Sequence, residues 1–243
     1  MARLDLRKTL GFSVQIDNGE VVDSELSYVS SQSYAIKDMK SQLLNPDITC
    51  PEIFYTRYLG FDKDSIYKEK GIKINLMVVH PNLAGIEFVK TKGVRTSKFP
   101  KIIEVVQGAG TIIMQNFESK YEGDIITAPL RKDTKVVVPP DYAYSIANTR
   151  TSMLVVSEIS SIKANDIDEL DDMNGMSYYL IRKNAKQEIV RNPEYRMVSN
   201  PRKIKWEQVL SKLGVTLKTP IIKQILRKYD KFEWLFEENS FTI

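Results

Sequence analysis

Between Ile53 and Arg191 the apolar positions fall into short alternating runs, at 53–59, 72–80, 86–90, 101–107, 111–116, 124–128, 135–138, 144–147, 152–159, 177–182 and 187–191. Gly, Pro, Asn and Asp separate most of them. Side chains of a strand alternate between two faces, so this rhythm predicts antiparallel strands in a closed or sandwiched β domain. Alternating strand–helix units would give longer periodic segments between the runs. Ahead of them, Phe12–Ile16 and Glu20–Val22 flank Asp17-Asn18-Gly19. That is a hairpin signal, because a tight type I′ turn needs positive φ at both central residues. Residues 34–44 predict a short helix stopped by Asn45-Pro46.

Past Asn200-Pro201 the period becomes helical. Trp206, Val209, Leu210 and Leu213 stand at i, i+3, i+4 and i+7, ahead of Gly214. Thr219-Pro220 opens a second predicted helix, with Ile222, Ile225, Leu226, Tyr229 and Phe236 on one face, to about Glu238. The reading is a β domain over 1–198 and a separable two-helix appendage over 199–243.

Charge sharpens that boundary. Residues 199–243 carry nine Lys/Arg and five Asp/Glu, and the other 198 residues carry 26 of each sign. The whole surplus of +4 therefore sits in the appendage, as expected of a contact with nucleic acid, a ribonucleoprotein or another acidic partner. Lys218, Lys223, Arg227, Lys228 and Lys231 are its candidate contact residues. A solvated helical face gives the same count without a partner. The acidic stretch 166–172 reads as a solvated loop or as a cover for the basic tail. One cysteine, Cys50, excludes an internal disulfide and points to a reducing cytoplasm; the chain shows no apolar leader and no spanning segment.

The motifs lie between Pro81 and Asn148. Pro81, Gly85, Glu87, Thr91 and Gly93 spell P-x3-G-x-E-x3-T-x-G; Gly108-Ala109-Gly110, Gly123-Asp124, Val138-Pro139-Pro140, Ala143 and Asn148 follow in order. Together with the N-terminal hairpin and Asn192-Pro193-Glu194-Tyr195-Arg196, this string resembles the archaeal cupin-type phosphoglucose isomerases over about residues 10–197. The resemblance implies a homodimeric cupin, a double-stranded β-helix or jelly-roll barrel. It also implies interconversion of glucose 6-phosphate and fructose 6-phosphate at a divalent metal held by His-x-His, a glutamate and a later histidine.

Those ligands are missing. Val94 and Thr96 take the His-x-His positions, Tyr144 takes the last, and the glutamate position falls near Lys101, with Glu104 the nearest carboxylate. Valine has no donor atom, hydroxyls bind transition metals poorly, and lysine is a cation. No metal and no cofactor are expected. His80, the one histidine, lies outside the ligand positions.

Some of the sugar-phosphate apparatus is retained in the resemblance: Thr91 and Gly93 of the phosphate loop, and Tyr55 and Tyr58 near the substrate mouth. Met77 and Ile103 replace a phosphate-contacting threonine and an active-site tyrosine. Arg95, Lys98 and Lys101 surround the emptied site, where an ammonium could replace the lost cation or simply face solvent. Glu87 is a candidate general base without a metal partner. Three functions follow. The first is a catalytically degenerate scaffold working through its basic tail. The others are a glucose-6-phosphate isomerase with a repurposed site and a non-catalytic sugar-phosphate sensor.

Overall fold

A computed structural model describes residues 3–116 and 123–243 of the chain. Two antiparallel sheets close a cupin barrel. The first runs in the order Lys135–Val138, Lys101–Gln107, Leu154–Ser161, Ile72–Val79, Ile53–Leu59, Ser30–Ala35. The second runs Ile125–Arg131, Ala109–Asn116, Tyr142–Ala147, Val94–Thr96, Asp166–Ile167. Tyr178–Lys183 and Lys186–Arg191 form a hairpin beside the short strands at 83–88.

The predicted runs are strands here because their apolar residues alternate with the pleat. Where both faces are covered the alternation disappears, and every residue of Leu154–Ser161 is buried. Three strands of the barrel sheets escape the hydrophobic pattern. Ser30–Ala35 is exposed for most of its length, while Val94–Thr96 and Asp166–Ile167 are too short to show a period. The helix expected over 34–44 is smaller than predicted. Tyr34 and Ala35 extend the edge strand, and only Ile36–Met39 is α-helical before a 3-10 turn at 40–42. The N-terminal hairpin folds as read, with Asn18 at φ 50° and Gly19 at φ 88°. It joins Leu4–Asp5 in a separate three-stranded sheet.

The C-terminal segment departs most from expectation. Its helices cover Trp206–Lys212 and Ile221–Arg227, and a 3-10 turn over Tyr229–Leu235 replaces the rest of the second helix. Trp206, Leu210, Ile221, Ile225, Phe232 and Leu235 belong to the same hydrophobic core as the barrel strands. Beneath them lies a buried ion pair, Lys135 Nζ to Glu104 Oε1 at 2.9 Å, and Glu104 Oε2 accepts the Ile221 N–H. Residues 199–243 are therefore a built-in layer of the barrel. No helix among the described residues is long and apolar enough to cross a membrane.

Candidate functional site

The barrel interior is set by strand parity. In Ile53–Leu59 and Ile72–Val79, Arg57 pairs with Met77, so Tyr55 and Arg57 face inward beside Met77 and Asn75. Lys101 and Glu158 enter from the neighbouring strands, where Lys101 pairs with Ser160 and Glu158 with Asn75. A cavity of about 240 Å³ remains, lined by Tyr55, Arg57, Met77, Thr91, Val94 and Tyr144 among others.

Below it lies a compact ion cluster. Arg57 Nη2 donates to Glu158 Oε1 at 2.8 Å and to Asp166 Oδ2 at 2.6 Å. Lys101 Nζ contacts Asp166 Oδ1 and reaches Glu158 Oε1 at 3.3 Å. Asn75 Nδ2 and the Tyr144 hydroxyl also donate to Glu158, at 2.8 and 2.5 Å. Two cations thus face two carboxylates. Burial by itself would raise the Glu158 carboxyl, but Arg57 and then Lys101 outweigh it and hold it well below the usual carboxylate range. Burial, followed by Asp166 and Glu158, pushes the Tyr144 phenol far up, so it remains a donor.

These residues do not fit a divalent metal. Val94 brings no donor. Thr96 turns its hydroxyl away from the cavity, to the carbonyls of Pro139 and Tyr142 at 2.9 and 3.1 Å. The Tyr144 hydroxyl donates to Glu158, and the two interior carboxylates are neutralised by Arg57 and Lys101. A divalent ion here would meet cations where it needs anions. Glu104 offers no substitute. Three residues from Lys101 it falls on the opposite face, paired with Lys135 under the C-terminal layer.

The phosphate-loop residues are together but their donors are engaged. The Thr91 N–H donates to the Ile146 carbonyl at 2.8 Å, and its hydroxyl accepts the Ile146 N–H at 3.0 Å. The Lys92 N–H reaches the Tyr55 hydroxyl at 3.4 Å, and the Gly93 N–H donates to Gln42 Oε1 at 2.6 Å. A Cβ at 93 would lie 2.9 Å from Leu170 Cδ1 and 3.1 Å from Gln42 Oε1 and Met176 Sδ, so a larger residue there would push on three side chains. Tyr55 lines the cavity and stacks on Tyr34, with ring centroids 4.3 Å apart. Tyr58 faces the other way, accepting the Val21 N–H at 2.9 Å, so it is not at the mouth. An odd separation places Tyr55 and Tyr58 on opposite faces.

The remaining candidates scatter. Glu87 is buried, pairs with Lys90 at 2.5 Å and accepts the Leu44 N–H, a structural arrangement away from the cavity. Ile103 is buried and does not line the cavity. Lys101 is interior, Arg95 sits at the mouth with Glu169 and Asp141, and Lys98 is exposed near Glu238. His80 is half-buried against Gly19 and Met153, and burial lowers its pKa. The acidic stretch is neither free nor on the tail. Asp166 joins Arg57 and Lys101, Asp168 and Asp171 hold Lys92, and Glu169 holds Arg95, so the stretch runs across the mouth.

Of the tail cations, Lys218, Arg227, Lys228 and Lys231 are exposed and Lys223 is half-buried. Arg227, Lys228 and Lys231 rim a recess of about 170 Å³ with Thr216 and Gln224. Among the described residues none of the five forms an ion pair.

The fold and the site define a cupin barrel whose interior is neutralised from within. By sequence the chain belongs to the glucose-6-phosphate isomerase (GPI) family, whose model matches residues 30–197. It is similar to the glucose-6-phosphate isomerase of Pyrococcus horikoshii, 24% identical over 78% of this chain and 98% of that one. It is also similar to the Pyrococcus abyssi enzyme, 26% identical over 53% of this chain and 67% of that one. Among solved structures it is similar to hazelnut (Corylus avellana) vicilin, with a TM-score of 0.38, 17% identity, and coverage of 49% of this chain and 33% of vicilin. Bacillus subtilis oxalate decarboxylase gives 0.38 and 14%, over 47% of this chain and 28% of that one. The chain thus spans about a third of the vicilin it matches. Residues 199–243 lie beyond the family match.

Proposed function

We propose that this family member does not isomerise sugar phosphates and instead binds a polyanionic partner, a nucleic acid or ribonucleoprotein, through the basic face of residues 199–243. One contrast carries the reading. The interior cations Arg57 and Lys101 are each paired with carboxylates, while among the described residues Lys218, Lys223, Arg227, Lys228 and Lys231 form no ion pair. Here uncompensated charge is on the outside, on a layer anchored to the barrel by a shared core. Such cations give phosphate contacts and a salt-dependent affinity, with no sequence reading of their own.

The test uses the full chain and a fluorescent single-stranded oligonucleotide, with anisotropy followed across salt. Binding is expected to weaken steeply, with a log–log slope near −3.5 if all five cations meet phosphates, about 0.7 per contact. Lys228→Gln with Lys231→Gln should lower affinity and flatten the slope by about 1.4. Affinity and slope unchanged in that variant would remove the tail from the account.

A further inference from the structure

A second and larger cavity opens to the surface on the other side of the Arg57–Asp166 pair. It measures about 480 Å³, a size at which small-molecule sites occur. Parity explains its place. Past Arg57 the inward residue of Ile53–Leu59 is Leu59, and past Asn75 the inward residue of Ile72–Val79 is Lys73. Arg57 and Asp166 are common to the walls of both cavities, so their ion pair stands as the partition between the two compartments.

The compartments differ in chemistry. The first has the cluster of paired charges and the acidic stretch across its mouth. The second is walled by Leu59, Phe61, Ile72 and Ile162, and Val29 beside it is 85% exposed, an unusual place for a large aliphatic side chain. Its charge balance is one-sided. Lys73 donates to the Ala164 carbonyl and, like Lys68 at the rim, is in no ion pair among the described residues. An ammonium carries three donors, so Lys73 has donors left over. The acids nearby are engaged: Asp166 holds Arg57 and Lys101, while Asp62 accepts the Lys63 and Tyr67 N–H groups. Arg57 places both its carboxylate contacts on Nη2 and leaves a buried Nε with no protein partner. Burial, then the neighbouring Lys101, disfavours the charged form of Lys73, which an anion would restore.

We propose that this compartment binds a small molecule carrying one carboxylate on an apolar body, the carboxylate on Lys73 and the body against Leu59, Phe61 and Ile162. An uncharged apolar molecule leaves Lys73 desolvated without an anion. A small dianion finds its second cation, Arg57, already paired with Glu158 and Asp166, and forfeits the apolar wall. The site is independent of the tail and lies past the Arg57–Asp166 partition from Thr91 and Gly93.

The probes are octanoate, with 1-octanol as its uncharged match and acetate as the charge without the body, titrated calorimetrically into the full chain. Octanoate should bind at least about tenfold more tightly than either control, the effect of one charge-assisted hydrogen bond. Lys73→Met should remove that advantage while leaving octanol unchanged. Ile162→Trp, at a partly exposed position that tolerates bulk, should block octanoate by filling the compartment and covers the case in which Lys73→Met fails to fold. Methyl shifts on octanoate addition are expected at Leu59, Ile72 and Ile162. Equal affinity for octanoate and octanol, absence of octanoate binding, or shifts confined to Met77 and Val94 would each overturn the assignment. So would a mouth closed to octanoate by a second copy of the chain.

Discussion

Glu158 ties the barrel interior together, since Arg57, Lys101, Asn75 and Tyr144 all converge on it. Removing one member of a buried ion cluster strands its partners, so Glu158→Gln should cost about 3–5 kcal/mol in denaturant unfolding. The pH dependence has a definite sign. The folded carboxyl is held below its ordinary 4.5, so its contribution is fully present above that value and is lost as pH falls through the lower folded value. Stability measured from pH 7 down to 3 should fall below about 4.5 in the native protein and fall less in Glu158→Gln. That Val94, Thr96 and Tyr144 stand at the ligand positions was legible only through the family resemblance, since no pattern within the chain marks them. The carboxylate that took charge of the interior was not, because it sits in Leu154–Ser161, a run whose apolar character hides a single acid. A lone Glu in a strand buried on both faces is itself the signal, since burial demands a partner. Likewise Tyr58 and Glu104 were misplaced by proximity in sequence, where counting odd and even positions from Tyr55 and Lys101 separates them.

At the scale of elements, the turn at 40–42 explains why the backbone N–H of Gly93 is engaged. Gln42 answers both backbone groups of Gly93, accepting its N–H at 2.6 Å and donating to its carbonyl at 3.2 Å, and also donates to Asp171. Gln42→Ala should leave buried backbone groups unpaired at a cost of about 1–3 kcal/mol. It should also free an anion-accepting N–H. Inorganic phosphate is therefore expected to raise the melting temperature of Gln42→Ala and not that of the native protein. An equal rise in both would mean that the loop is already open. The acidic strap over the mouth pairs with Lys92 and Arg95 across more than seventy residues, which no local pattern conveys. The strands themselves were readable because burial on one or both faces imposes the period. The 3-10 turn at Tyr229–Leu235 was not, because Tyr229, Phe232 and Phe236 stand at helical spacing, whereas the turn buries Phe232 and Leu235, three apart.

Across the whole molecule, the change of period after Pro201 marked a new element type, and the apolar face it predicted at Trp206, Leu210, Ile222 and Ile225 packs into the barrel's own core. Ile225 is fully buried in the shared core, so Ile225→Ala should destabilise the entire protein by about 2–5 kcal/mol in a single cooperative transition. An independently melting tail would contradict that. For the same reason truncation at 198 should give an aggregating barrel, and charge substitutions rather than deletions are the way to probe the tail. The family framework at 30–197 and the basic layer outside it share one core, with the Arg57–Lys101–Glu158–Asp166 cluster paired inside and the tail cations in no ion pair among the described residues. The most direct test of that arrangement is turnover of fructose 6-phosphate to glucose 6-phosphate by the full chain, preloaded with Mn²⁺, Fe²⁺, Ni²⁺ or Zn²⁺ and assayed with and without chelator. The account predicts no turnover above the uncatalysed rate in any of them, and chelator-sensitive turnover would contradict it.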